Sequence, residues 1–238
     1  MQIHVEIPVN GEVITGELFK PECITVACMV FCHGWTSKNK KYLKLAEQLA
    51  NRGILCLAIN LRGHGDSRYS IEDYSRKEHL MDVLVAIDYV KERSNNAPCI
   101  LLGKSYGGYL SSIASSLRQI DYLILSQPAL YPDADFSLRT AELIRKNPDI
   151  FRSRTEVVES NKALRAIFNY KNHLLIVESE HDEEVFDTPK LYIKASEQNI
   201  NRTLAIISDS DHPLSRPEWL EMYYKTITSW LQSVKILS

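Results

Sequence analysis

No stretch of the 238 residues approaches the roughly 18-residue apolar run that a membrane-spanning helix needs, so no membrane partner is expected. The N-terminus, MQIHVEIPVNGEV, carries an early glutamate and lacks a basic stretch followed by an apolar one. An export signal is therefore not expected, and the chain reads as cytoplasmic. Excess charge is also missing: 28 Lys+Arg stand against 30 Asp+Glu, a net charge of −2. That balance favours neither nucleic acid nor an anionic surface as partner. Cysteine is sparse and carries no C-x-x-C spacing. Cys28, Cys32, Cys56 and Cys99 sit within apolar runs and, with Cys23, read as reduced thiols rather than disulfide or zinc ligands; no metal is expected. Glycine and proline number only 9 each, and no Gly/Ser/Pro linker, repeat or low-complexity tract divides the chain. One domain, 1–238, is expected.

What remains is a large apolar fraction, 45% of residues against 24% charged, enough for a sizeable core. Alternating residues flank Asn10-Gly11, which predicts a hairpin with a type I′ turn. Beyond it come short apolar runs at 24–32, 54–61, 98–103, 122–128, 173–179 and 203–208. Amphipathic, helix-length segments separate them. Continuous apolar strands alternating with helices predict an α/β fold, a mostly parallel sheet of about eight strands covered on both faces. One segment breaks the rhythm. Residues 131–170 are longer than a strand-to-helix connection needs and irregular in period, which predicts a small helical cap hinged near Asn147-Pro148. Its large apolar members, Phe136 and Phe151 among them, are expected to wall a substrate pocket.

The run LLGKSYGGYL places Ser105 between Gly103 and Gly107, after a strand-like run and before a helix-like one. A sharp strand-to-helix turn strains the serine backbone and tolerates only small neighbours. It lifts the hydroxyl clear of the sheet beside free helix N–H groups. A serine needs a base, and the base needs a carboxylate to orient it. In this architecture they follow in the order serine, acid, histidine. His212, in the loop ISDSDHPLS after the last strand, fits best among the seven histidines. The acid belongs in the loop LLIVESEHDEEV, where Asp182 is the leading candidate and Glu180 the alternative. Backbone N–H groups of Tyr106 and of Trp35, after His33-Gly34, can face an oxyanion.

FCHGW, NLRGHGDS, GKSYGG, the acid loop and DSDHPL together resemble the α/β-hydrolase family over essentially the whole chain. The resemblance implies Ser105 as nucleophile, Asp182 and His212 as its partners, and Trp35 and Tyr106 at the oxyanion hole, with no cofactor. It gives Arg62, His64 and Asp66 a bracing role. Two positions depart from the pattern: Ser179 stands where glycine is common before the acid, and Lys104 precedes the nucleophile, where its stem is expected to reach solvent. The expected activity is hydrolysis of small to medium carboxylic esters. A peptidase or acyl-thioester hydrolase is the alternative, and a ligand-binding member without catalysis the more distant one.

Overall fold

The computed structural model describes residues 1–65, 67, 69–146, 160–185 and 187–237, Lys146 by its backbone alone. The chain begins with a hairpin, β1 (Gln2–Val9) and β2 (Glu12–Phe19), turned at Asn10 and Gly11. Both turn residues have positive φ, 47° and 83°, as the type I′ geometry requires. Strands β3 (Ala27–Cys32), β4 (Ile54–Asn60), β5 (Cys99–Lys104), β6 (Tyr122–Ser126), β7 (His173–Ser179) and β8 (Arg202–Ile207) complete one sheet. Its order is β1-β2-β4-β3-β5-β6-β7-β8, antiparallel across β1, β2 and β4 and parallel from there on.

All six residues of β3 and of β5 are buried, because helices cover both faces. The two-residue period sorts them. Cys28, Val30 and Cys32 face one core with α2 (Arg76–Arg93), α3 (Tyr106–Ala114), α5 (Lys162–Asn169) and α6 (Thr188–Ala195). Ala27, Met29 and Phe31 face the other, with α1 (Leu43–Ala50) and α7 (Pro217–Ser233). Local signals start the helices. Ser75 Oγ accepts the Glu78 N–H while the Glu78 carboxylate accepts the Ser75 N–H at 2.8 Å, a capping box at the head of α2. Four of the five cysteines are buried and free, and Cys23 is exposed.

Within 131–170 the described residues form a short turn at Asp133–Asp135, α4 (Thr140–Lys146) and α5. Helix α5 buries Ala163, Leu164, Ala166 and Ile167 against α3 and α6, so it belongs to the layer that covers the sheet. The Asn147-Pro148 hinge, Phe151 and Asp66 lie outside the described residues. Among the described residues no helix is long and apolar enough to cross a membrane.

Candidate active site

Loops that leave the carboxyl edge of the sheet after β3, β5, β6, β7 and β8 meet around Ser105, the residue joining β5 to α3. Its backbone is strained, φ 52° and ψ −116°. The elbow is tied down on both sides: Ser105 N–H donates to the Ser126 carbonyl at 2.8 Å, and Ala129 N–H donates to the Ser105 carbonyl at 3.1 Å. Close packing makes the small neighbours obligatory. A Cβ on Gly107 would stand 2.3 Å from the Cys32 carbonyl oxygen, and one on Gly103 2.3 Å from the Gly107 oxygen. Gly34 lies beside the serine itself, its hypothetical Cβ 3.3 Å from the Ser105 Cβ.

His212 and Asp182 stand on the loops after β8 and β7. The imidazole Nδ1 is 2.7 Å from Asp182 Oδ2, and both side chains are only 7% exposed. Asp182 Oδ1 accepts the backbone N–H groups of Glu184 at 3.0 Å and Val185 at 3.1 Å. Burial alone would raise the Asp182 pKa, but His212 and these two N–H groups outweigh it and hold the carboxyl below its ordinary value. With Nδ1–H given to Asp182, Nε2 is left as the acceptor. Glu184 Oε2 lies 3.6 Å from that nitrogen, an approach the sequence did not signal. Glu180 is occupied elsewhere: its carboxylate accepts the Asp209 N–H at 2.9 Å and stitches the histidine loop to the acid loop.

Ser105 and His212 line one cavity of about 420 Å³ with Trp35, Tyr131, Val185, Lys41, Lys104 and Glu184. Phe136 is not among its walls. It packs against the core under α2 and α3 and lines a separate surface groove with Leu80, Ile113, Leu117 and Ala166. Glu180, His181 and Asp209 bring possible metal donors within 4.8 Å of one another, all exposed and outside the Ser105 cavity.

Behind the cavity three buried histidines brace the loop of Trp35. His33 Nδ1–H donates to the Gly34 carbonyl at 2.8 Å, and its Nε2 accepts the Leu61 N–H at 3.1 Å. His79 Nε2–H donates to the Arg62 carbonyl at 2.9 Å, so Nδ1 accepts the Tyr106 hydroxyl at 2.8 Å. Both rings are therefore neutral. Burial pushes the His33 pKa down to about 3 and that of His79 well below its ordinary value. The Trp35 ring stands edge-on to His64, His79 and Tyr106. Arg62 is held by Asp82 at 2.7 Å and Glu12 at 3.0 Å.

Lys104 corrects a sequence-based expectation. Its side chain does not reach solvent; the residue is only 7% exposed. Residue 104 continues the alternation of Ile100 and Leu102, which face the core under α7, so the ammonium is drawn inward. There it donates to Gln127 Oε1 and, at 2.7 Å, to the main-chain oxygen of His212. Gln127 gave no signal in the sequence. It is fully buried at the end of β6 and adopts φ 41°.

Comparison with known proteins agrees with this architecture. Residues 25–196 match the family described as serine aminopeptidase, S33, and the chain belongs to that family of α/β-hydrolase serine hydrolases. A monoglyceride lipase homolog of monkeypox virus is 21% identical over 93% of this chain and 95% of its own. Rat monoglyceride lipase is 26% identical over 67% of this chain, but the match spans only 56% of the rat protein. Est1E from Butyrivibrio proteoclasticus, solved with ferulic acid bound, superposes with a TM-score of 0.74 over 96% of this chain and 98% of its own, at 19% identity.

Proposed function

We propose that the chain hydrolyses carboxylic esters of small to medium acyl groups through an acyl-enzyme on Ser105. The observation that carries this reading is the strained Ser105 at the wall of a cavity that His212, hydrogen-bonded to Asp182 at 2.7 Å, also lines. His212 Nε2 takes the hydroxyl proton as Oγ attacks the ester carbonyl, and Asp182 stays ionised to stabilise the imidazolium. The oxyanion faces the N–H of Tyr106, first residue of α3, and the N–H of Trp35. The alcohol leaves with the proton from His212. Water, deprotonated by the same nitrogen, attacks the acyl carbon; the acyl–Oγ bond breaks, Ser105 recovers the proton from His212, and the acid is released.

A volume of about 420 Å³ is at the lower end of the roughly 300–1,000 Å³ usual for ligand pockets, which suits a short acyl group. Relatives named monoglyceride lipase favour an ester over an amide. An aminopeptidase needs anions to grip a substrate ammonium. Here Glu184 is offset by Lys41 in the same cavity, which weighs against that chemistry.

A fluorophosphonate probe should add one equivalent to the native protein, on Ser105. p-Nitrophenyl esters of graded chain length and a monoacylglycerol should turn over faster than matched amides and thioesters. Labelling at another serine, or none in folded protein, removes the nucleophile assignment; faster amide turnover moves the reading to a peptidase.

A further inference from the structure

Two lysines grip successive carbonyls of the histidine loop. Lys41 Nζ donates to the Pro213 oxygen at 2.9 Å from the exposed side, and Lys104 Nζ donates to the His212 oxygen at 2.7 Å from within. The inner grip is anchored. Gln127, the second acceptor of Lys104, also accepts the Ser126 hydroxyl and donates through Nε2 to Ser179 Oγ at 3.0 Å. A chain of hydrogen bonds thus runs from the ends of β5, β6 and β7 to the backbone of the histidine. The partners of this buried amine are carbonyl oxygens, not a carboxylate. Burying a cation without a counter-ion opposes folding and offsets what these hydrogen bonds contribute.

Resting on the triad reading above, we propose that Lys104 is a positioning residue for the general base: by holding the main-chain carbonyl of His212 it fixes the point from which the imidazole reaches Ser105. A neutral amine has two N–H donors for two acceptors, so the grip survives loss of the proton. An ammonium at the same place adds a positive charge that opposes the imidazolium formed as Ser105 attacks. The charged groups around it are Lys41 after β3, Asp182 and Glu184 after β7, and Asp211 beside the histidine. Burial first and Lys41 second push the amine down to about 7, against the pull of the three carboxylates. The side chain therefore changes charge in the range where a histidine base begins to work.

The test compares Lys104→Met, which has no donor, with Lys104→Gln, which has two N–H donors and no charge. With p-nitrophenyl acetate, Lys104→Met should lose kcat by about 10–100-fold at little change in KM, the scale set by small misplacements of a catalytic group. Lys104→Gln should recover part of that loss. In the wild type, log kcat should rise with pH more steeply than a single ionisation allows, and in Lys104→Met it should fall to a single-ionisation slope. The Tm of Lys104→Met at pH 6 should change little, since loss of a buried cation offsets the two hydrogen bonds removed. An unchanged kcat, a loss confined to KM, an unaltered pH slope, or a Tm that falls with kcat overturns the proposal. Wild-type protein that fails to label at Ser105 sinks the triad reading with it; wild type and Lys104→Met labelling at equal rates sink the positioning role alone.

Discussion

Asp182 and Glu180 stand two residues apart beyond β7, yet their partners differ completely. Asp182 holds the imidazole and two backbone N–H groups, whereas Glu180 holds the Asp209 N–H. Neutralising Asp182 in place leaves its size but removes the charge and the preferred tautomer of His212. Asp182→Asn should therefore lower kcat by about 10⁴-fold, the scale found for a triad carboxylate so altered. Glu180→Gln retains an acceptor for Asp209 and should cost less than about tenfold, because only a loop contact weakens. Steady-state kinetics on one ester rank the two, and the reverse order would transfer the role to Glu180.

At the scale of elements, the close approach of α3 to the end of β3 brings the helix N-terminus and the Trp35 loop together. Gly107 permits it, with Cys32 and His33 carbonyl oxygens where any Cβ would go, at 2.3 and 2.6 Å. Gly107→Ala must push α3 away from β3. We expect a loss of roughly 1–3 kcal/mol from overpacking and slower probe labelling at Ser105. Gly11→Ala is the control: its φ of 83° is strained for alanine, but nothing lies within 4 Å of the new Cβ. That change should cost about 1–2 kcal/mol and leave labelling untouched. Denaturant melts with labelling rates distinguish the two, and equal labelling in both variants would mean that α3 can withdraw without disturbing the site.

For the whole molecule, the buried histidines set the acid limit. His33 and His79 are held neutral, while in the unfolded chain each takes up a proton near pH 6.5. Their folded values are depressed, so below about 6.5 the unfolded state binds more protons and stability falls as pH falls. Each contributes a slope of about 1.4 kcal/mol per pH unit. Together they remove about 3 kcal/mol between pH 6.5 and 5, a large share of a total of roughly 5–15 kcal/mol. Lys104 adds to the trend at the other end, its depressed value making stability rise with pH from about 7 towards its unfolded value. The Asp82 carboxyl, raised by burial to about 7, works in the opposite sense below that pH, so urea denaturation should show a net rise from pH 5 to 7 smaller than the two rings alone would give. A curve flat below pH 6.5 would mean that the two rings accept protons without unfolding.

Local pattern by itself determined the strands, the hairpin turn at Asn10-Gly11, the alternation that sorts β3 between two cores, and the elbow around Ser105. Those features depend on neighbours one to four residues away, and their periods are visible in a string of letters. Only the tertiary structure decided the rest. Asp182 meets His212 because β7 and β8 lie side by side in the sheet and their loops leave the same edge; a stretch rich in acids cannot state which one faces inward. Lys104 turned inward although lysine is ordinarily a surface residue, because Gln127 and the His212 carbonyl, contributed by other strands and loops, were there to receive it. Phe136 joined the helical layer instead of the cavity because an apolar ring packs against whichever apolar face the fold brings nearest, and here that face was the core under α2 and α3.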